Sequence, residues 1–225
     1  MLIGVAGMVG TGKTTLSHAL AARFGLQIGH ESVDENPWLE SFYGGPGDMR
    51  SYALHSQLHF LATRFAAMRR MRGLGGSWIL DRTWYEDAEI FARGLYEQGL
   101  LTSDEWTLYR RLYAELLFSP AARPPRLLLY LHAPLEVILE RITSRGRPKE
   151  RDTAPDYWAA LHQRYASWVR QFRHCPVLWL DVRDYDLLGN SLAIEEIAGR
   201  VRLQLEGELP QTELWPAVPK LAALA

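Results

Sequence analysis

At 225 residues, 48% hydrophobic and 23% charged, the chain has the composition of one ordinary globular domain, which excludes disordered, collagen-like and fibrous classes. A formal net charge of −1 argues against a protein that tracks a nucleic-acid polymer, and no apolar run reaches the roughly 18 to 20 residues that span a bilayer. The lone cysteine, Cys175, permits no intramolecular disulfide and no cysteine zinc cluster, which points to a reducing, cytoplasmic setting.

In chain order, Met1–Ala6 is apolar, lacks a basic leader and runs into a glycine loop, so a first strand is expected at Leu2–Ala6 rather than a signal peptide. Further short apolar runs follow at Leu26–His30, Trp78–Asp81, Leu127–His132 and Val177–Asp181. Between them lie helical patterns at Lys13–Phe24, about Arg50–Arg72, Tyr85–Gln98, Ser103–Phe118, Leu135–Arg145, Asp156–Arg173 and Ala193–Leu205. Strand and helix in alternation predict βαβ units and a parallel sheet. Thr102 with Glu105, and Thr153 with Asp156 behind Pro155, have the spacing of helix-starting capping boxes. One domain is expected over residues 1–206, with a tail from 207 to 225 in which Pro210, Pro216 and Pro219 favour a surface arm.

Gly7-Met8-Val9-Gly10-Thr11-Gly12-Lys13-Thr14 fits G-x-x-x-x-G-K-[ST] and stands between a predicted strand and a predicted helix, the context that motif needs. Glycines let backbone N–H groups wrap phosphate oxygens, and the helix start adds partial positive charge. Lys13 reaches the β- and γ-phosphates, and the Thr14 hydroxyl holds Mg²⁺. The chain is therefore expected to bind ATP·Mg²⁺.

Glu31 follows the second strand, at the sheet edge where open α/β folds place ligands. It is either a general base toward an attacking hydroxyl or a surface or capping glutamate. Asp81 and Arg82 end the third predicted strand, as a metal-organising carboxylate and a phosphate-pairing guanidinium or as a plain salt bridge. Arg141, Arg145, Arg147 and Arg151 form either a flap that closes over the nucleotide or a solvated helix end. His55 and His59 share a helix face, but no further metal ligands converge in sequence, so packing or pocket lining is expected.

With these residues in place the sequence resembles the deoxynucleoside kinase family, and in wording its bacterial deoxyadenosine/deoxyguanosine kinases. The resemblance is carried by Gly7–Thr14, Glu31–Leu39 with Phe42-Tyr43, Gln57 to Arg64, Asp81–Asp87 and Arg141 through Tyr157. It implies a P-loop kinase fold with a five-stranded parallel sheet of order 2-3-1-4-5 and helices on both faces. An arginine-rich lid at about 141–153 and a homodimer packed through helices are also implied. Residue by residue, Glu31 matches the catalytic base and a metal-side carboxylate, Arg82 the arginine of the Glu/Asp-Arg-Ser motif, and Arg141, Arg145 and Arg147 the lid. Tyr43 and Glu150 match groups that hold the sugar 3′-hydroxyl. Gln57, Arg64 and Asp87 match groups that read the base, with Trp38 beside it, and Asp184-Tyr185 lies where the donor adenine is contacted. Asp81, Thr83 and Ser32 replace the more usual Glu, Ser and Pro.

The expected activity is transfer of phosphate from ATP to the 5′-hydroxyl of deoxyadenosine or deoxyguanosine. A nucleoside monophosphate kinase shares most of these parts but needs cations for the acceptor's phosphate. A GTPase switch is disfavoured because neither Asn36 nor Asn190 begins an Asn-Lys-x-Asp element.

Overall fold

The computed structural model describes residues 1–29, 36–42, 49–147, 153–187 and 191–207. Five parallel strands, β1 (Leu2–Gly7), β2 (Gln27–Gly29), β3 (Trp78–Asp81), β4 (Leu127–His132) and β5 (Val177–Asp181), form one sheet in the order β2-β3-β1-β4-β5. Ile3, Val5, Ile79, Leu127–Leu129 and Leu178 are fully buried, as continuous apolar strands covered on both faces require. Because β1 is flanked by β3 and β4, the loop leaving its carboxyl end opens at the middle of that sheet edge.

Helix α1 (Lys13–Phe24) contacts β1 and β3 and packs against the last described helix, α9 (Ser191–Glu206). A second contiguous group contains α3 (Met49–Leu74), the run α4 (Trp84–Glu86), a π-helical stretch Asp87–Ala92 and α5 (Arg93–Glu97), with α6 (Ser103–Phe118), α7 (Leu135–Arg145) and α8 (Pro155–Gln171). Short α2 (Leu39–Phe42) packs on α3.

Three expectations are corrected. The helix predicted over Tyr85–Gln98 is not uniform: the backbone widens into the π-helical stretch, a distortion often found at functional sites, and this stretch carries Asp87. The second strand is shorter than Leu26–His30, because the Leu26 N–H closes the end of α1 on the Ala21 carbonyl, and His30 lies outside the described residues. Thr153 does not cap α8. Pro155 takes the first helical position and holds Ala154 extended (φ −58°, ψ 140°) as the capping residue, leaving Thr153 one step too far out. The Thr102 box forms as expected, with the Glu105 N–H donating to the Thr102 hydroxyl at 3.2 Å.

Candidate active site

The loop after β1 fits a phosphate cradle. Gly7 has φ +146°, and a Cβ there would stand 2.6 Å from the Leu131 carbonyl oxygen, so only glycine lets β1 turn this closely beside β4. Gly12 (φ +89°) caps α1 from the left-handed region, placing Lys13 and Thr14 in the helix's first turn. Thr11 is buried and donates to the Met8 carbonyl at 2.8 Å, which pins the loop on itself. Lys13 Nζ donates to the same carbonyl at 3.0 Å, which holds its ammonium over the loop.

Opposite the loop stands the end of β3. Thr14 Oγ1 donates to Asp81 Oδ2 at 2.6 Å, so a hydroxyl and a carboxylate meet at the sheet's carboxyl edge. Two hard oxygen donors are the chemistry that Mg²⁺ takes. Arg82 follows with φ +77°, the one non-glycine residue with positive φ among those described. For an arginine that conformation costs of order 1 to 3 kcal/mol and persists where the surroundings over-determine it. Its N–H donates to the Val5 carbonyl at 3.0 Å, and its guanidinium carbon lies 4.6 Å from the Phe91 ring centre.

The α7 helix brings the arginine cluster to the same loop. A Cβ on Gly10 would lie 3.7 Å from the Cβ of Arg141. Arg141 is partly buried and donates to the Val182 carbonyl at 3.3 Å, whereas Arg145 and Arg147 are exposed beyond it. On the other flank, Leu187 Cδ1 sits 3.0 Å from the position of a Cβ on Gly12, so the segment after β5 also packs on the cradle. Asp184 is exposed there. The Tyr185 ring is buried toward α9, its hydroxyl accepting from Arg200 at 2.6 Å and donating to Glu196 at 3.0 Å.

A second polar centre lies between α3 and the π-helical stretch. Arg64 Nε and Nη2 donate to Asp87 Oδ2 and Oδ1 at 2.8 and 3.3 Å, with the two side chains 8% and 5% exposed. Gln57 is two turns earlier on the same helix face, buried, and its Oε1 has no hydrogen-bond partner among the described residues. A buried amide oxygen left in this way is a site for an incoming donor. Trp38 lies nearby in the aromatic group it forms with Tyr52 and His55, at ring-centre distances of 6.0 and 5.0 Å. Its backbone N–H donates to Asn36, whose amide is anchored on Ser56 of α3. His55 thus packs at a tilt against Trp38, and His59 packs edge-on against Phe60. Met8 and Val9 take their places in the loop, with Met8 buried in the core, and Glu31, Tyr43 and Glu150 lie outside the described residues.

One residue escaped the sequence reading. Glu86 is fully buried, and its carboxylate accepts from the Gly7 N–H (3.3 Å), the Tyr165 hydroxyl (2.9 Å), the Thr83 N–H (2.8 Å) and the Thr83 hydroxyl (3.2 Å). Burial pushes this carboxyl up from its ordinary value, opposed by the positive charges of Arg82 and Lys13 and by the bonds from Thr83 and Tyr165. The signal was present: Thr83-Trp84-Tyr85-Glu86 has the same spacing as the Thr102–Glu105 box.

Comparison with known proteins agrees with this geometry. The sequence pattern of the deoxynucleoside kinase family matches residues 3–205. A deoxyadenosine/deoxycytidine kinase of Bacillus subtilis is 40% identical over 200 residues, covering 89% of this chain and 91% of that protein. A deoxyguanosine kinase of Lactobacillus acidophilus is 30% identical over 218 residues, covering 93% of each. Among solved structures, deoxyadenosine kinase from M. mycoides with bound dATP superposes with a TM-score of 0.75 at 26% identity, covering 90% of this chain and 100% of that one. The same kinase with bound dCTP gives 0.74.

Proposed function

Since the chain belongs to the deoxynucleoside kinase family, we propose that it transfers the γ-phosphate of ATP to the 5′-hydroxyl of a deoxynucleoside, with deoxyadenosine and deoxyguanosine as leading acceptors. The observation that carries the acceptor side is the buried bidentate Arg64–Asp87 pair with Gln57 on the same helix face. A neutral base edge with donors and acceptors satisfies such groups, and an acceptor's own phosphate does not. This favours a nucleoside over a nucleoside monophosphate.

On the donor side, the Gly7–Gly12 loop, anchored by the Gly7 N–H on Glu86, turns the backbone N–H groups that follow Gly7 toward the phosphates, and Lys13 adds charge at the β/γ bridge. Thr14 and Asp81, already 2.6 Å apart, would hold Mg²⁺ together with Glu31. Bound Mg²⁺ neutralises charge on the phosphate oxygens. Glu31 takes the proton from the 5′-hydroxyl as its oxygen attacks phosphorus, and Arg82, Arg141, Arg145 and Arg147 stabilise the charge on the phosphoryl group in flight. Tyr43 and Glu150 hold the sugar, Trp38 lies against the base, and Asp184 with the backbone of Tyr185 borders the donor adenine.

Base choice follows from the pair. Gln57 both donates and accepts, so it suits an exocyclic amine beside a ring acceptor, an edge shared by adenine and cytosine and lacking in thymine. The similarity to a kinase named for deoxyadenosine and deoxycytidine supports adding deoxycytidine to the accepted bases. Phosphate transfer to nucleoside versus nucleoside monophosphate acceptors tests the class: monophosphates as the better acceptors overturn it.

The assembly belongs to the same proposal. One domain spans 1–206, with a lid at about 141–153 and the tail from 207. Leu108 and Leu112, one turn apart on α6, are 48% and 40% exposed and Phe118 at its end is 85% exposed, apolar surface that a second copy packing through helices would cover. No described helix is long and apolar enough to cross a membrane. Together with the half-buried free Cys175, this fits a cytoplasmic enzyme that acts on small molecules rather than nucleic-acid polymers.

A further inference from the structure

The phosphate cradle, Thr83 directly after the strained Arg82, and the helix that follows the lid lie in separate parts of the fold, and one carboxylate bonds all three. We propose that Glu86 is a positioning residue for phosphoryl transfer, its buried carboxylate fixing the P-loop entry at Gly7 and the β3 end at Thr83 relative to Tyr165 of α8. The proposal rests on the roles given above to Lys13 and Arg82.

The geometry argues for position rather than for packing alone. Each carboxylate oxygen faces one backbone N–H, Gly7 for Oε1 and Thr83 for Oε2, and one hydroxyl, Tyr165 and Thr83 respectively. A hydroxyl can turn to accept, but a backbone N–H cannot. The corresponding amide, with an NH₂ in place of one oxygen, therefore cannot satisfy both backbone N–H groups. The Gly7 N–H is the first amide of the cradle, at the glycine whose approach to Leu131 leaves no room for adjustment. Thr83 follows Arg82 directly, so a bond to its N–H fixes the peptide that leaves the positive-φ arginine. The groups facing Glu86 are Lys13 from the start of α1, Arg82 from the end of β3, Tyr165 from α8 and Tyr130 from β4. Two of these, Lys13 and Arg82, are cations whose charge Glu86 offsets beside the cradle. Glu86 thus sets both the geometry and the balance of charge in which the phosphoryl group moves, without touching it.

Misplacement of reacting groups by about 1 Å costs on the order of 10²-fold in rate. Glu86→Gln keeps length and shape but turns an amide NH₂ against either the Gly7 or the Thr83 N–H. The expected result is a kcat lowered by roughly 10- to 100-fold with deoxyadenosine affinity, measured by calorimetry without ATP, within about threefold of wild type. A kcat within threefold of wild type overturns the proposal, and so does a loss of deoxyadenosine affinity in proportion to the loss of kcat, which would mark a general scaffold role. Should Glu86→Gln fail to fold, Tyr165→Phe decides: removing one donor is expected to lower kcat at least threefold at unchanged affinity, and an unchanged kcat overturns the proposal. Lys13→Ala run in parallel separates the two levels. If it too transfers phosphate at the wild-type rate, the reading of the cradle fails; if it is inactive while Glu86→Gln is not, only the positioning role falls.

Discussion

The Thr14 hydroxyl donates a 2.6 Å hydrogen bond to Asp81 Oδ2, joining the first turn of α1 to the last residue of β3. These are two of the oxygen ligands proposed for Mg²⁺, beside Glu31, and they are already in contact. Asp81→Asn keeps the shape and removes the charge, so the Mg²⁺ concentration for half-maximal velocity should rise at least about tenfold. A magnesium titration at saturating ATP checks this, and an unchanged midpoint would remove Asp81 from the metal set.

Lys13 is only partly buried, and its ammonium lies over the loop rather than in the core. Lys13→Ala should leave the melting temperature within a few degrees of wild type and lower transfer by on the order of 10²-fold or more, as for other lost transition-state contacts. Activity within about tenfold of wild type would contradict the role given to this residue.

Glu31→Gln retains hydrogen bonding but removes the proton acceptor. A fall in kcat of roughly 10²- to 10⁴-fold with a smaller change in nucleoside affinity is expected from stopped-flow and steady-state rates. If kcat is unchanged, the base lies elsewhere and Asp81 is the next group to test.

Arg64→Ala removes the guanidinium that holds the buried Asp87 carboxylate, which should destabilise the fold by about 3 to 5 kcal/mol in denaturant unfolding. Replacing both residues by Met and Leu should recover much of that stability while deoxynucleoside affinity stays lost. Recovery of affinity in the double variant would separate the pair from base reading.

The Thr102–Glu105 cap gives a pH test. The Thr102 N–H and hydroxyl hold the Glu105 carboxyl below its ordinary value of 4.5. The folded state therefore binds its proton less readily than the unfolded chain, so the stabilisation is fully present above about 4.5 and disappears as pH falls through the lower folded value. Glu105→Gln should be less stable than wild type at pH 7, by up to ~1 kcal/mol as for other helix caps, and the gap should close as pH falls through the lowered folded value. An unfolding series that shows the gap constant with pH would contradict this origin.

Much of the fold was legible because parallel strands covered on both faces read as unbroken apolar runs. Trp78–Asp81, Leu127–His132 and Val177–Asp181 begin and end where the runs do. The Gly7–Thr14 cradle was legible because each position has a steric or electrostatic reason of its own. The π-helical stretch was not, since its apolar spacing in sequence matches an ordinary helix and only packing against α3 and α8 reveals the wider turn. Glu86 was hidden because its partners Gly7 and Tyr165 are each 79 residues away, so its burial depends on the closed sheet rather than on neighbours in sequence. The Thr153 cap failed through a local rule applied one residue too early: Pro155 restricts Ala154, not Thr153.

Transfer of labelled γ-phosphate from ATP to deoxyadenosine, deoxyguanosine, deoxycytidine and thymidine, expressed as kcat/KM for each, tests the central claim most directly. A base edge that leaves a buried polar pair unmatched costs about 1 to 3 kcal/mol, or roughly ten- to a hundredfold in rate. Deoxyadenosine or deoxyguanosine should stand first, deoxycytidine should be accepted more weakly, and thymidine should be poorest. Thymidine at the top would contradict the reading of Gln57, Arg64 and Asp87, and no transfer to any of the four would contradict the proposed reaction itself.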